Sequence, residues 1–184
     1  MEFLLKILIL LGKYIYTTLP AIFANMAPII MKNVPFLKYP LDFNLTFKGE
    51  RLLGENKTFR GLFFGILFST IIVYIQVIVY KNLPFNLSII EYDKINYHLL
   101  GPIIGFGVIF GDAVKSFFKR RLKIKPGDKF MPWDQIDCAL GGLLFGRIVW
   151  PWPIEYAISI IIITFFLHIT IRHIASWFGI CEKW

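Results

Sequence analysis

Residues 111–142 read GDAVKSFFKRRLKIKPGDKFMPWDQIDCALGG and hold the densest polar chemistry of an otherwise oily chain. Asp112, Asp128, Asp134 and Asp137 stand there among Lys115, Lys119, Arg120, Arg121, Lys123, Lys125 and Lys129. Long apolar segments enter the stretch and leave it. Asp112, Lys115, Ser116 and Lys119 follow i, i+3, i+4, i+7, so a helix places all four on one face. Asp134 and Asp137, three apart, share a face of a second helix, and Pro126-Gly127 between the two helices is a turn signal. The spacing therefore predicts helix, loop, helix, with two carboxylate-bearing helix ends brought together. Carboxylates are the hard oxygen ligands that Mg²⁺ prefers, and Lys and Arg are what polyphosphate needs. Both, where two membrane helices emerge, point to metal-assisted phosphoryl or nucleotidyl transfer at a membrane face.

The rest of the chain sets the class. Of 184 residues, 57% are hydrophobic and 17% charged, and the mean hydropathy is +0.63, values of an integral membrane protein. Aromatics reach 17%, with 19 Phe, as suits lipid-facing helices and interfacial belts. A net charge of +8 would also suit nucleic acid. The cations, however, cluster between apolar spans, as basic loops of a membrane protein do, so nucleic acid is not expected as a partner. Cys138 and Cys181 form no motif and read as free thiols. His98, His168 and His173 lack zinc-ligand spacing.

The fold expected is an all-α integral membrane protein, a single catalytic domain with about five transmembrane helices. The spans fall near residues 3–31, 61–80, 97–118, 134–150 and 152–174. Two basic loops, about 32–60 and 112–137, separate them. The first apolar run lacks a small-residue cleavage pattern and simply continues, so it reads as an uncleaved span. It exceeds the roughly 20 residues that cross the hydrocarbon, which predicts tilt, a kink at Pro20 or an interfacial lead-in. Asn25 is an amide in lipid and needs either an interhelix partner or a site role. Gly101, Gly105 and Gly107 in the third span, and Gly141, Gly142 and Gly146 in the fourth, permit close helix packing. Arg147 lies too far from Asp137 to share a site and is expected to pair with Glu155 or snorkel outward. Trp150-Pro151-Trp152-Pro153 reads as a hairpin with interfacial tryptophans. His168 and Arg172 share a face of the last span, where snorkelling explains them, although they could also touch a phosphate. The two basic loops hold 13 of the 20 Lys and Arg. They therefore face the cytoplasm, with the N-terminus outside and the C-terminus inside.

Several ordered elements resemble a known family. Ser116-Phe117-Phe118-Lys119-Arg120, then Lys125 and Gly127, then Asp134-Gln135-Ile136-Asp137 look like the signature of the CDP-diacylglycerol synthase (phosphatidate cytidylyltransferase) superfamily. Gly111-Asp112 ahead of Lys115-Ser116, and Gln135 after the first Asp, resemble its archaeal branch, the CDP-archaeol synthases. So do Pro20-Ala21 with Ala24-Asn25 and Pro28, Pro40-Leu41-Asp42, the run from Gly49 through Arg51 to Gly54, and Lys57-Thr58-Phe59-Arg60-Gly61. Phe59 stands where Trp is usual. Met131-Pro132-Trp133 replaces the His-Gly-Gly of bacterial members.

The resemblance implies a Mg²⁺-dependent cytidylyltransferase of archaeal phospholipid synthesis in the cell membrane, with its active site at the cytoplasmic face. It would join CTP to an isoprenoid-ether glycerol phosphate and release pyrophosphate. Asp112, Lys119, Asp134 and Asp137 would be catalytic, and Asp112, Asp134 and Asp137 would hold the metal. Substrate would be bound by Asn25, Asn56, Lys57, Thr58 and Arg60 from the first half of the chain. Lys115, Ser116, Arg120 and Arg121 would serve it from the second. Asp128 is either a further site acid or a turn residue beside Pro126-Gly127. The alternatives are a non-catalytic scaffold whose basic loops bind anionic lipid and a small transporter, whose expected inverted repeats are missing. Oligomeric state is left open.

Overall fold

Apolar runs of this length give the backbone one solution in lipid. Each N–H and C=O must be bonded inside its own segment, and a helix achieves that. The structure, a computed structural model, describes residues 1–125 and 128–177, without the side chains of Arg172 and Ala175. The chain forms α1 (Glu2–Ile30), a hairpin of β1 (Thr46–Phe47) and β2 (Glu50–Arg51), α2 (Phe59–Asn82), α3 (Tyr97–Arg121), α4 (Trp133–Gly146) and α5 (Ile154–Trp177). Among the described residues four helices, α1, α2, α3 and α5, are long and apolar enough to cross a membrane. The fourth segment is shorter than expected. At 14 residues, α4 is about 21 Å long, against roughly 30 Å of hydrocarbon. Apart from the hairpin, in which Thr46 pairs with Arg51, the regular structure of the described residues is helical. The Pro126-Gly127 turn, Cys181 and the Arg172 side chain, all singled out from the sequence, lie outside the described residues.

Helix α1 runs unbroken through Pro20 and Pro28. A proline lacks the N–H that would bond the carbonyl four residues back. For Pro20 that carbonyl belongs to Tyr16, and Gln76 of α2 donates Nε2 to it at 2.6 Å. The Tyr92 hydroxyl in turn donates to Gln76 Oε1 at 2.8 Å. Beside them the Thr17 and Ser88 hydroxyls lie 3.1 Å apart, and Thr17 Oγ1 also accepts the Ile89 N–H. These neutral bonds tie α1, α2 and the loop before α3 together, around a core that includes Val73, Val77, Ile90, Tyr92 and Leu100.

Glycines set the approach of α3 to α4. A Cβ on Gly141 would lie 2.0 Å from the Gly107 carbonyl oxygen, and one on Gly111 would lie 2.4 Å from the Asp137 carbonyl oxygen. No larger residue allows the two backbones to meet here. Because Gly111 sits against Asp137, the next residue of α3, Asp112, is delivered to the carboxylate-bearing end of α4. At the opposite end of α4, Arg147 reaches the Trp152 carbonyl at 3.4 Å and lies 4.6 Å from its ring. Of the two expectations for Arg147, the ion pair with Glu155 is not formed; the side chain lies exposed and takes this cation–π seat, because the hairpin folds Trp152 back over it.

Candidate active site

The Asp112 end of the bundle draws charge from three parts of the chain. Lys115 Nζ lies 2.8 Å from Asp137, 3.2 Å from Asp112 and 3.3 Å from Asp134. Lys57, from the loop before α2, bonds Asp112 from the other side. Lys119 approaches Asp134 at 3.4 Å and donates to the Asp128 carbonyl. Asp134 also accepts the Phe130 N–H at 2.7 Å, which folds the segment before α4 onto its first turn. The Asp137 side chain is only 5% exposed. Three carboxylates and three ammonium groups thus share one partly buried volume.

The three predicted metal-binding acids converge, but on the Lys115 nitrogen. Among the described residues no three His, Cys, Asp or Glu groups are arranged as a finished metal-binding set. The donor chemistry still fits Mg²⁺, since hard carboxylate oxygens are already gathered around a cation. Asp128 enters through its backbone, not its carboxylate.

The first loop is built to present Lys57. Asp42 is buried and accepts Arg51 Nη2 at 2.8 Å and the backbone N–H groups of Asn44, Leu53 and Gly54. Burial pushes the Asp42 carboxyl up, but the Arg51 guanidinium and these N–H donors outweigh it and hold the group below the usual carboxylate range. Arg121, at the end of α3, donates to the Phe47 carbonyl at 2.9 Å and the Arg51 carbonyl at 2.6 Å, clamping the hairpin to the bundle. Arg60 donates to the Val34 carbonyl at 2.7 Å. Thr58 caps α2 by accepting the Gly61 N–H. These three residues, predicted to meet substrate, are engaged with the protein's own backbone. Ser116 is buried and Asn56 is exposed on the loop. Arg120 follows Lys119 on α3, and neither Ser116 nor Arg120 lines either of the cavities described next.

Two cavities meet at this cluster. An apolar groove of about 470 Å³ runs between α1, α4 and α5, past Ile22, Met26, Leu143, Ile160 and Leu167. A polar cavity of about 210 Å³ is lined by Lys115, Lys119 and Asp128 among others. Asn25, Asp134, Asp137, Cys138 and His168 border both and form the neck between them. Asn25 is exposed to this space, and its Oδ1 accepts the Cys138 thiol at 3.1 Å. Of the two alternatives read from the sequence, the interhelix bond is formed, and Asn25 also borders the cavities. The sequence reading missed Lys115 as the centre of the cluster. Its three acidic neighbours come from two helices, and only one of them shares its helix.

A family model described as "CarS-like: CDP-archaeol synthase" matches residues 5–184. A CDP-archaeol synthase of Methanocaldococcus jannaschii is 38% identical, over 95% of this chain and 97% of its own. One from Methanococcus maripaludis (strain C7) is 32% identical, over 98% and 99%. A solved structure described as an intramembrane enzyme for archaeal membrane lipids biosynthesis matches with a TM-score of 0.68 and 28% identity, covering 86% of this chain and 91% of that one. Membrane-spanning helices, a charge cluster and an apolar groove opening onto it define an intramembrane enzyme of lipid synthesis. The chain belongs to the CDP-archaeol synthase family. It is accordingly a CTP-dependent cytidylyltransferase, and the scaffold and transporter readings fall away.

Proposed function

We propose that the chain transfers the cytidylyl group of CTP to an isoprenoid-ether glycerol phosphate, with Mg²⁺, at the cytoplasmic face of the cell membrane. The observation that carries this reading is the neck. An amphiphile with its chains in the apolar groove presents its headgroup to the charge cluster. In the step, an oxygen of the lipid phosphate forms a bond to the α-phosphorus of CTP. The bond from that phosphorus to the bridging oxygen of the β-phosphate breaks, and pyrophosphate leaves with the electron pair. The nucleophile is already anionic at neutral pH, so no base has to remove a proton.

The obstacle is repulsion between two phosphate anions. Lys115 and Lys119 line the polar cavity and Lys57 stands beside them on Asp112, but each already has a carboxylate partner, so the cluster has little spare positive charge for a triphosphate. This balance supports a requirement for Mg²⁺. Asp112, Asp134 and Asp137 would hold the ion, which when bound would supply the charge that screens the triphosphate. Lys115 and Lys119 border the polar cavity and orient phosphate oxygens there, while Lys57 enters from the first loop. The cytoplasmic assignment is supported by the density of Lys and Arg at this end. Lys57 bonding Asp112 and Arg121 bonding the hairpin put both basic loops together there.

The test is to incubate purified enzyme with labelled CTP, Mg²⁺ and the lipid phosphate. CDP-lipid and pyrophosphate are expected only when all three are present, and chelation should abolish both. Pyrophosphate release without the lipid, or full turnover after chelation, would overturn the reading.

A further inference from the structure

We propose that His168 of α5 is the residue that holds the phosphate of the lipid substrate at the neck, opposite Asn25. The inference rests on the function proposed above. It concerns which residues tell a lipid phosphate from a lipid without one.

Ile160, Thr164, Leu167, His168 and Ile171 line the groove from α5. Their spacing of i, i+4, i+7, i+8 and i+11 marks one helix face. His168 is the member of that face which also borders the polar cavity, and the only α5 residue that does so among the described residues. Snorkelling would carry the ring outward; instead it lines both cavities.

Of the five neck residues, Asp134 and Asp137 repel a phosphate. The Cys138 thiol is turned to Asn25 Oδ1. Because Asn25 spends its oxygen on that bond, its amide N–H₂ is the group left to donate. Imidazole presents an N–H in either neutral tautomer. His168 and Asn25 are thus the neck residues that carry a nitrogen-bound hydrogen, on α5 and α1, on the groove side of the lysines. A phosphate monoester tethered by chains in the groove reaches them first. The triphosphate, which has no chains, is met by Lys115 and Lys119 in the polar cavity.

The test compares wild-type enzyme with His168→Leu, which keeps an apolar filling, and His168→Gln, which restores an N–H. His168→Phe replaces the leucine variant should its melting temperature fall. Equilibrium binding of the isoprenoid diether glycerol phosphate and of the same diether lacking phosphate is measured without CTP, so turnover is not needed. The expected result is a loss of about tenfold in the preference for phosphate over alcohol in His168→Leu, the size of one lost charge-assisted hydrogen bond, with recovery in His168→Gln. KM for the lipid should rise similarly while KM for CTP and inhibition by inorganic pyrophosphate stay within twofold. Unchanged phosphate preference in His168→Leu overturns the proposal, as does an equal rise in KM for CTP, which would seat His168 with the nucleotide. Wild-type enzyme that prefers the phosphate yet forms no CDP-lipid would sink the reaction assigned above and leave this one standing.

Discussion

At the Pro20 level, α1 and α2 are joined by neutral groups, Gln76, Tyr92, Thr17 and Ser88, whose hydrogen bonds close on one another. At the Asp112 end, α3, α4 and the first loop are joined by carboxylates and lysines, of which Lys115, Lys119, Asp134 and Asp137 border a polar cavity. Both regions place polar groups in a largely apolar chain. The first answers a local need, since Pro20 orphans a carbonyl and Gln76 supplies the donor. The second has no such need. Buried ion pairs contribute little net stability compared with apolar packing, so their concentration beside a cavity is explained by what the cavity binds. The contrast separates polar groups that hold a membrane bundle together from polar groups held by it.

The largest effect is expected at the charged end. Lys115→Met removes the partner shared by three acids and should cost about 3–5 kcal/mol, together with all turnover. Asp137→Asn keeps the shape, so melting should change little while CDP-lipid formation falls by at least about 100-fold. Thermal melting and single-turnover assays on the same preparations check both. Should Asp137→Asn melt early yet keep full turnover, the cluster is structural and the contrast between the two ends disappears.

A middle effect is expected at the neutral end. Gln76→Leu strands the Tyr16 carbonyl and the Tyr92 hydroxyl and should destabilise by about 1–2 kcal/mol. Below the melting transition its kcat/KM should match wild type. A loss of kcat/KM larger than the folded fraction accounts for would tie this end to catalysis.

The smallest effect concerns the loop that carries Lys57. The Asp42 carboxyl sits below its ordinary value, so the unfolded loop binds the proton more readily than the folded one. The stabilisation is therefore complete above about pH 4. It is lost as pH falls toward the folded pKa. Amide exchange in residues 42–54 should accelerate over that acid range while α2 and α3 stay protected. Asp42→Asn should remove the pH dependence and leave the loop fast at all pH values.

Much of the bundle is legible along the chain. Apolar runs of about 20 residues have one way to satisfy their backbone in lipid, and α2 at Phe59–Asn82 and α3 at Tyr97–Arg121 lie within three residues of the spans read at 61–80 and 97–118. The fourth segment is read too long, because Gly146 and the turn after it end α4 before the apolar run ends. The acids and lysines at the site are also readable, since i, i+3 and i+4 spacing is a property of one helix. Their partners are not. Arg121 and Arg60 have the composition of phosphate ligands, yet each finds a nearby carbonyl once the loops fold back.

What the sequence determines by itself is therefore whatever depends on neighbours along the chain: hydrophobic length, helical faces, the concentration of charge at one end and the family pattern. Only the tertiary structure decides that Lys115 sits amid three acids, that Gln76 answers Pro20, and that an apolar groove opens onto the charge cluster at Asn25 and His168. The reason is physical. Each of these depends on how close two helices come, and α3 meets α4 at glycine faces whose contact is set by shape across about 30 residues of chain.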